Sequence, residues 1–421
     1  GKKVIRPPIA ALMGAYGAAL YAKGLNVEQS STLKPAELKV FEHTARAAQC
    51  KGCTNRCNLT INRFPGGDRY ISGNRCEFPL GNNKQNELPN AYRYKLELLK
   101  GYQPRKNAPL GKIGIPMGLN MYENLPFWHT LLSEVGFEVV LSGHSSKEVY
   151  TKGQHTIPSD TVCYPAKLIH GHIELLLEQG VKTIFYPCMT YNFDEETGDN
   201  HFNCPIVAYY PELIKANMSS LDEIDFLYPY FSLNDPKLFT KKISAYLKET
   251  FDIPKKETRR AAKKAYKEYF RYMDNIRDYG KKAIKFAEDN DCTVIVLAGR
   301  PYHIDEEINH GMDQLVNSLG LVIISEDCIS HLEKKRRVRV LNQWTYHARL
   351  YNAARYVTRH DNMQLVQLVS FGCGLDAVTT DEVREILESR HKLYTQIKID
   401  EINNLGAAKI RLRSLIAAIS L

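Results

Sequence analysis

Four cysteines in a short stretch near the start of the sequence have the clearest chemistry. Cys50, Cys53 and Cys57 form a C-x₂-C-x₃-C segment, and Cys76 follows. A predicted hairpin over residues 59–72, with a Pro-Gly-Gly turn, would bring Cys76 back beside the other three. Four thiolates can close a tetrahedral zinc site or ligate a 4Fe–4S cluster. The spacing matches neither zinc ribbons nor bacterial ferredoxins, so both metals stay open here.

A second set of cysteines is dispersed along the sequence, at predicted strand ends and helix starts. Cys188, Cys328 and Cys373 each follow a predicted strand, Cys163 precedes a predicted helix, and Cys204 precedes a further predicted strand. In open α/β sheets the carboxyl ends of the strands form the ligand crevice, and a helix N-terminus favours a thiolate or an anionic cluster. These positions predict a cofactor site, although cysteines also commonly fill protein cores. For Cys328 the two interpretations are equally favoured.

Two further polar residues follow the predicted strand Thr293–Ala298. His303 and Asp305 could supply general acid and base groups there, while helix capping is the alternative role for Asp305. His170 and His172 lie two positions apart in a predicted helix, so they do not share a face, and we expect packing or surface roles. No Walker A or G-x-G-x-x-G motif occurs, so no nucleotide site is predicted.

The elements that must position these residues alternate between strands and helices, which predicts parallel sheets covered on both faces. Before residue 236 the predicted elements are strand Lys112–Met117, helix Leu125–Val135, strand Glu138–Leu141, helix Ala166–Gln179, strand Lys182–Tyr186 and strand Pro205–Ala208. Residues 236–290 read as continuously helical. The later elements are strand Thr293–Ala298, helix Glu306–Leu319, strand Leu321–Ser325, helix Asn342–Tyr356, strand Gln364–Ser370, helix Asp381–Ser389 and strand Gln396–Ile399.

Composition is that of a globular protein, with 44% hydrophobic and 24% charged residues in 421. No apolar run is long enough to span a membrane, and the apolar stretch Ile9–Ala22 predicts a buried helix rather than a signal peptide. We therefore expect a cytoplasmic protein. The net charge is +9, and basic residues cluster at Lys334–Arg339 and Lys255–Lys267. Such clusters suit a coenzyme A ester or an acidic protein, or are simply solvated; nucleic acid is disfavoured because no recognition motif is present.

Long strings of the sequence resemble a known family. Residues 112–412 resemble the uncharacterised domain of large acyl-CoA dehydratase activase-type proteins, which are related to 2-hydroxyacyl-CoA dehydratases and double-cubane cluster proteins. The strings are KIGIPMGLNMYENLPFWHTLLSEVGFEVVLS, IPSDTVCYPAKLIHGHIE, IFYPCMTYN, DNHFNCPIVAYYPE, VLAGRPYHIDEEINHG and LVQLVSFGCGLDAVTTDEV. CKGCTNRCNLTI with ISGNRC resembles the preceding cysteine module. PPIAALMGAYGAALYA resembles the closing helix of the family's ATPase domain, which suggests a fragment of a longer protein.

The resemblance implies a division of labour between an ATP-hydrolysing activator and a partner whose clusters perform a reduction. It places Cys163, Cys188, Cys204 and Cys373 on the cluster-binding side, with an iron–sulfur cluster of the 4Fe–4S or double-cubane type. Cys328 matches no family motif. Three further expectations follow from the resemblance alone. They are an ATP-dependent activator domain or protein, a small-molecule or coenzyme A ester substrate, and a homodimer.

We therefore predict two flavodoxin-like parallel-sheet domains joined by a helical connector and preceded by a small Cys-rich module. The predicted boundaries are 1–25 for a terminal helix, 40–100 for the metal-binding module, 110–235 for the first α/β domain, 236–290 for the connector and 291–421 for the second α/β domain. The favoured function is ATP-coupled, oxygen-sensitive, low-potential electron transfer to a small substrate. The alternatives are an acyl-CoA dehydratase proper and a non-catalytic assembly module stapled by zinc at the first four cysteines.

Overall fold

A computed structural model describes residues 8–26, 33–51, 57–65, 67–74, 79, 81, 88–105, 108–370, 372–399, 401 and 405–419. The chain divides into two compact units. The first comprises Gly1–Gln49 and Asn58–Gly73, and the second comprises Cys50–Cys57 and Asn74–Leu421. Each unit is described in turn.

In its described residues the first unit contains two α-helices and one antiparallel sheet. Its elements are α1 (Met13–Gly24), α2 (Pro35–Lys39), β1 (Thr44–Gln49), β2 (Asn58–Arg63) and β3 (Arg69–Ser72). The sheet order is β1-β2-β3, and β2 pairs with β3 through the predicted hairpin, which is thereby confirmed. None of the residues of α1 is buried against the described part of the chain, so the expectation of a buried helix there is wrong.

The first half of the second unit contains a four-stranded parallel sheet. Its elements are α3 (Ala91–Lys100), β4 (Lys112–Ile115), α4 (Met121–Val135), β5 (Glu138–Leu141), α5 (Lys147–Gly153), α6 (Tyr164–Glu178), β6 (Thr183–Phe185), β7 (Cys188–Tyr191), α7 (Pro205–Asn217), β8 (Asp225–Leu227) and β9 (Tyr230–Ser232). The strand order is β5-β4-β6-β8, and β7 pairs separately with β9. Every pairing in this half is parallel.

Two helices, α8 (Pro236–Phe251) and α9 (Lys255–Asp289), lead to a second parallel sheet. The later elements are β10 (Val294–Ala298), α10 (Glu306–Asn309), α11 (Met312–Ser318), β11 (Val322–Ser325), α12 (Thr345–Val357), β12 (Met363–Val369), α13 (Gly374–Glu388), β13 (Thr395–Lys398) and α14 (Leu405–Ile419). The strand order is β11-β10-β12-β13. The two four-stranded sheets therefore have the same strand order. In each, the strand that comes second in the sequence lies at one edge, and the first, third and fourth strands follow it across the sheet.

The predicted α/β class with parallel sheets is confirmed, and three local predictions are corrected. The segment predicted as strand Pro205–Ala208 is the first turn of α7, because proline at the first helical position is compatible with a helix start. The predicted helix Glu306–Leu319 breaks into α10 and α11, since His310 and Gly311 both adopt left-handed backbone conformations. The predicted helical stretch breaks at Asp252, which is also left-handed.

Close packing in the first half fixes the approach of α5 to α6. A methyl group added at Gly153 would overlap the backbone of residues 170–171, and one added at Gly171 would overlap the Val149 carbonyl. Only glycine allows the two backbones to approach this closely. The contact holds α6, and therefore the residue that caps it, in a defined position. No described helix is long and apolar enough to cross a membrane.

Candidate functional site

Three of the predicted cysteines occupy equivalent positions, each immediately before a helix. Cys163 is the N-cap residue of α6, Cys204 that of α7, and Cys373 that of α13. The Val207 backbone N–H lies 3.5 Å from the Cys204 Sγ atom. The partial positive charge of a helix N-terminus favours an anion at its cap. Three helices therefore present their positive ends to sulfur atoms.

These three cysteines are close enough for their charges to interact. Burial raises the pKa of the Cys163 thiol to about 12, and negative charge on Cys204 or Cys373 would raise it further. Burial likewise raises the pKa of Cys204, while Arg300 acts in the opposite direction. In the metal-free chain Cys163 and Cys204 are therefore neutral thiols, and thiolates would form when a metal replaces their protons.

A buried cation lies beside the three cysteines. The Arg300 guanidinium is buried and forms two contacts with the Asp376 carboxylate, at 2.5 and 3.1 Å. It also donates to the Tyr302 hydroxyl at 3.3 Å, the His347 Nε2 atom at 2.9 Å and the Cys373 Sγ atom at 3.7 Å. Because its partners surround it, the guanidinium is fixed in orientation and can stabilise negative charge on sulfur.

His303 positions the turn that carries Arg300. Its Nδ1 atom accepts the Arg300 backbone N–H at 2.9 Å, and Gly299 leaves the space that the ring occupies. Burial lowers the pKa of His303 to about 3, helped by the charge of Arg300, so the ring is neutral. With Nδ1 accepting, the proton lies on Nε2. The predicted acid–base role of His303 stays a prediction.

Asp305 lies in a polar network between the two halves of the second unit. Its carboxylate caps α10 by accepting the Glu307 and Ile308 backbone N–H groups at 2.8 and 3.2 Å. The hydroxyls of Tyr122 and Ser145 donate to its other oxygen. Burial raises the pKa of Asp305. The alternative capping role is therefore present in the structure, and its acid–base role stays a prediction.

Three donor groups, one near the cysteines and two beside Arg300, have no hydrogen-bond partner among the described residues. They are the Tyr186 hydroxyl, the His303 Nε2 atom and the His347 Nδ1 atom, all buried. Burial raises the pKa of Tyr186 well above its ordinary value, with smaller effects from Tyr210 and from Cys188, Cys204 and Cys163. Unpaired buried donors are rare in native proteins, and each points to an acceptor that the described residues do not supply.

The structure brings Cys188 near this group but holds Cys328 elsewhere. Cys188 is fully buried at the start of β7, beside Glu212 and the Tyr230 hydroxyl, and burial raises its pKa to about 11. Cys328 is buried under α9, with its Sγ atom 3.6 Å from the Ile276 carbonyl oxygen. Cys328 therefore has the surroundings of a core residue.

Only part of the first cysteine set lies in the described region. Cys50 and Cys57 are buried, and the Cys50 backbone N–H donates to the Cys57 carbonyl at 2.9 Å. Cys53 and Cys76 lie outside the described residues. The predicted metal site at these four cysteines, with zinc or a cluster, therefore stays a prediction. Within the described ranges, no three His, Cys, Asp or Glu side chains are placed to hold a single metal ion.

A second buried arginine joins the two halves of this unit. Arg349 in α12 contacts the carboxylates of Glu123 in α4 and Glu195 in the loop after β7, each at 2.5 Å. The Tyr269 hydroxyl and the Asn192 amide also donate to Glu123, at 3.2 and 3.4 Å. Sequence reasoning missed Arg349 and Asp376 because their partners are distant in the chain. For Arg300 a signal was present, since it directly follows a buried strand.

His170 and His172 are both buried packing residues. His172 lies between the hydroxyls of Ser142 and Ser145, each 2.9 Å from a ring nitrogen. His170 contacts the Thr156 hydroxyl at 2.7 Å and the Tyr210 hydroxyl at 3.0 Å. Burial lowers the pKa of His170 to about 4, with a smaller effect from His155.

We expect His170 to make stability depend on pH. Its pKa is lower in the folded state than in the unfolded state, so the unfolded state takes up the proton first as the pH falls below about 6.5. Between pH 7 and pH 5 the His170→Gln variant should lose about 2 kcal/mol less free energy of unfolding than the parent. Urea unfolding at the two pH values measures this. His43→Gln, at an exposed position of the first unit, is the control, and equal losses in all three proteins would contradict the assignment.

Comparison with known families connects this geometry to a group of proteins. Residues 112–329, just over half of the chain, match the CoA enzyme activase uncharacterised domain. The chain belongs to this family. The resemblance to activase-type proteins is thereby confirmed. The matched region of the CoA enzyme activase domain includes Cys163, Cys188, Cys204 and Arg300 and ends before Cys373.

Other comparisons add little to the activase assignment. The chain is 12% identical to the C-terminal domain of glucosamine-fructose-6-phosphate aminotransferase from Francisella tularensis, over 82% of this chain and 96% of that one. The TM-score of 0.18 is too low to relate the two folds. No curated protein matches the chain.

Proposed function

We propose that this chain binds an iron–sulfur cluster through Cys163, Cys204 and Cys373 and uses it for low-potential electron transfer. The observation that carries the proposal is that three cysteine N-caps lie within electrostatic reach of one buried arginine, which contacts the sulfur of Cys373. Iron–sulfur clusters are held by cysteine thiolates, and positive dipoles and hydrogen bonds to sulfur tune their potentials.

The surroundings suit such a group. The unpaired donors of Tyr186, His303 and His347 match the hydrogen-bond acceptors that cluster sulfides and cysteine sulfurs supply. A cluster also separates its ligands by the width of its core, so its cysteines need not converge on a single point as the ligands of one ion do. When bound, the cluster supplies one-electron chemistry at low potential.

The residues of the chain contribute orientation and electrostatics. Asp376 and His347 hold the Arg300 guanidinium, which lies against Cys373 and offsets part of the negative charge of the thiolates. His303 fixes the backbone turn that carries Arg300. Cys163 is partly buried, which limits the access of water to its sulfur.

The electron source and acceptor follow from the family resemblance. We propose an ATP-dependent activator domain or protein as the source, and a small molecule, such as a coenzyme A ester, as the acceptor. The same proposal includes two flavodoxin-like domains, the Cys-rich module, a homodimer and a cytoplasmic location. Cys188, beside Tyr186, is the candidate for an additional ligand.

Metal analysis of anaerobically purified protein tests the proposal. The decisive sample is a variant in which Cys50, Cys53, Cys57 and Cys76 are all replaced by serine. Any metal that this variant retains belongs to the α/β region. We expect about four or more irons per chain with matching acid-labile sulfide, and an electron paramagnetic resonance signal that changes on reduction with dithionite. Zinc without iron in this sample, or no metal at all, would overturn the cluster assignment.

A further inference from the structure

A basic loop, residues 331–344, is bonded to the chain segment that leads into Cys204. The Asn342 carbonyl oxygen accepts the Asp199 backbone N–H at 2.6 Å, and the Gln343 carbonyl oxygen accepts that of Phe202 at 2.9 Å. Phe202 in turn accepts the Thr345 N–H at 3.1 Å. Cys204 follows Phe202 by two residues, so the loop is anchored directly beside one of the three cysteines.

The other side of the basic loop is attached to the helix that Cys373 caps. The Arg339 backbone N–H lies 3.2 Å from a Glu382 carboxylate oxygen, and its guanidinium pairs with Glu385; both acids are in α13. The loop therefore connects the segment before Cys204 with the helix after Cys373. Each of these two segments carries one cysteine of the proposed cluster site.

The loop carries more positive charge than its surroundings neutralise. Lys335 pairs with Asp199 at 2.7 Å, but Lys334, Arg336 and Arg337 are exposed and contact no carboxylate among the described residues. Burial lowers the pKa of the nearby Arg355, Glu382 opposes this shift, and the charge of Arg336 adds to it. Like charges are thus crowded here, which favours a negatively charged partner.

Exposed apolar side chains occur in the loop itself and in the helix to which it is attached. Leu332 is 46% exposed and Leu341 is 67% exposed, so both flank the unpaired cations. Val378, one turn into α13, is 47% exposed as well. A small molecule that carries phosphates would use the cations but would leave these side chains in water. Exposed apolar groups among charges are instead typical of a protein–protein contact surface.

We propose that the basic loop is the docking surface for an acidic protein that carries one electron to the cysteine site. The inference rests on the proposed cluster at Cys163, Cys204 and Cys373, and it names the chemistry of the partner and its place of contact. In the transfer the carrier loses one electron and the centre held by these cysteines gains it. No bond forms or breaks between the two proteins.

Stopped-flow reduction by a reduced acidic 2Fe–2S ferredoxin tests this surface. In the K334Q/R336Q/R337Q variant we expect the second-order rate constant at low salt to fall about tenfold, with a weaker dependence on ionic strength. The matched control is K255Q/R259Q/K263Q, which removes three exposed charges from the start of α9 and should keep the parent rate. Reduction by titanium(III) citrate, a small molecule, should be equal in all three proteins if their clusters are intact.

Two results would overturn the docking proposal. One is an unchanged rate in the loop variant, and the other is an equal fall in the control, which would indicate an effect of net charge alone. If none of the proteins retains iron, the proposed function fails, and docking is then judged from binding of ferredoxin to the metal-free chains. Loss of binding in the loop variant alone would support the surface, and equal binding in all three would reject it.

Discussion

Replacement of any one of Cys163, Cys204 and Cys373 by alanine is expected to reduce the iron of the α/β region from about four per chain to below one. Each cysteine caps a different helix, so the two cysteines that remain cannot take the place of the one removed. A cluster that loses one of three protein ligands is exposed to solvent on that side. Iron and sulfide analysis of the anaerobic proteins measures the effect.

The matched control for this series is Cys328→Ala. Cys328 is buried under α9, away from the three helix caps, so its removal should leave the iron content unchanged. Circular dichroism and urea unfolding establish that each variant is folded. Full iron content in the Cys163, Cys204 and Cys373 variants would show that the three helix caps are not ligands. Loss of iron in Cys188→Ala as well would add that residue to the site.

Replacement of Arg349 by methionine is expected to lower the free energy of unfolding by about 3–5 kcal/mol. Arg349 is fully buried between Glu123 and Glu195, and its loss leaves the buried carboxylate of Glu123 and the partly buried carboxylate of Glu195 without a cation. Because these residues come from α12, α4 and the loop after β7, the change weakens the contact between the two halves of the second unit. Urea unfolding measures the difference.

Two further variants distinguish the effect of the buried Arg349 ion pairs from general effects of charge. Lys281→Met removes an exposed cation that pairs with Asp278 at 3.1 Å, and it should cost less than about 1 kcal/mol. Combining Arg349→Met with Glu123→Gln and Glu195→Gln should recover part of the loss, since no uncompensated charge then remains. If Arg349→Met and Lys281→Met lower the free energy of unfolding equally, the buried ion pairs of Arg349 do not have the stabilising role proposed for them.

Much of the architecture follows from local pattern. The buried strands β10, β11 and β12 are short apolar runs between helical segments, and such alternation predicts a parallel sheet. The secondary-structure predictions were wrong where the local sequence is compatible with more than one conformation. Residues 205–208 (PIVA) suit a strand by composition, but the proline and the Cys204 cap begin α7 instead. The break at His310–Gly311 depends on backbone conformations that apolar periodicity does not reveal.

The sequence by itself determined the family, the α/β class and the candidate cysteines, because these depend on residue type and on spacing along the chain. Only the tertiary structure decided which cysteines lie near one another. Arg300 meets Asp376 across 76 positions, and Arg349 meets Glu123 across 226. Arg300 and Asp376 meet because parallel strands bring distant loops to one edge of a sheet, whereas Arg349 meets Glu123 because the two halves of the second unit pack together. Cys163 and Cys204 come from the first half and Cys373 from the second, so their proximity also depends on this packing, whereas Cys328 is held under α9.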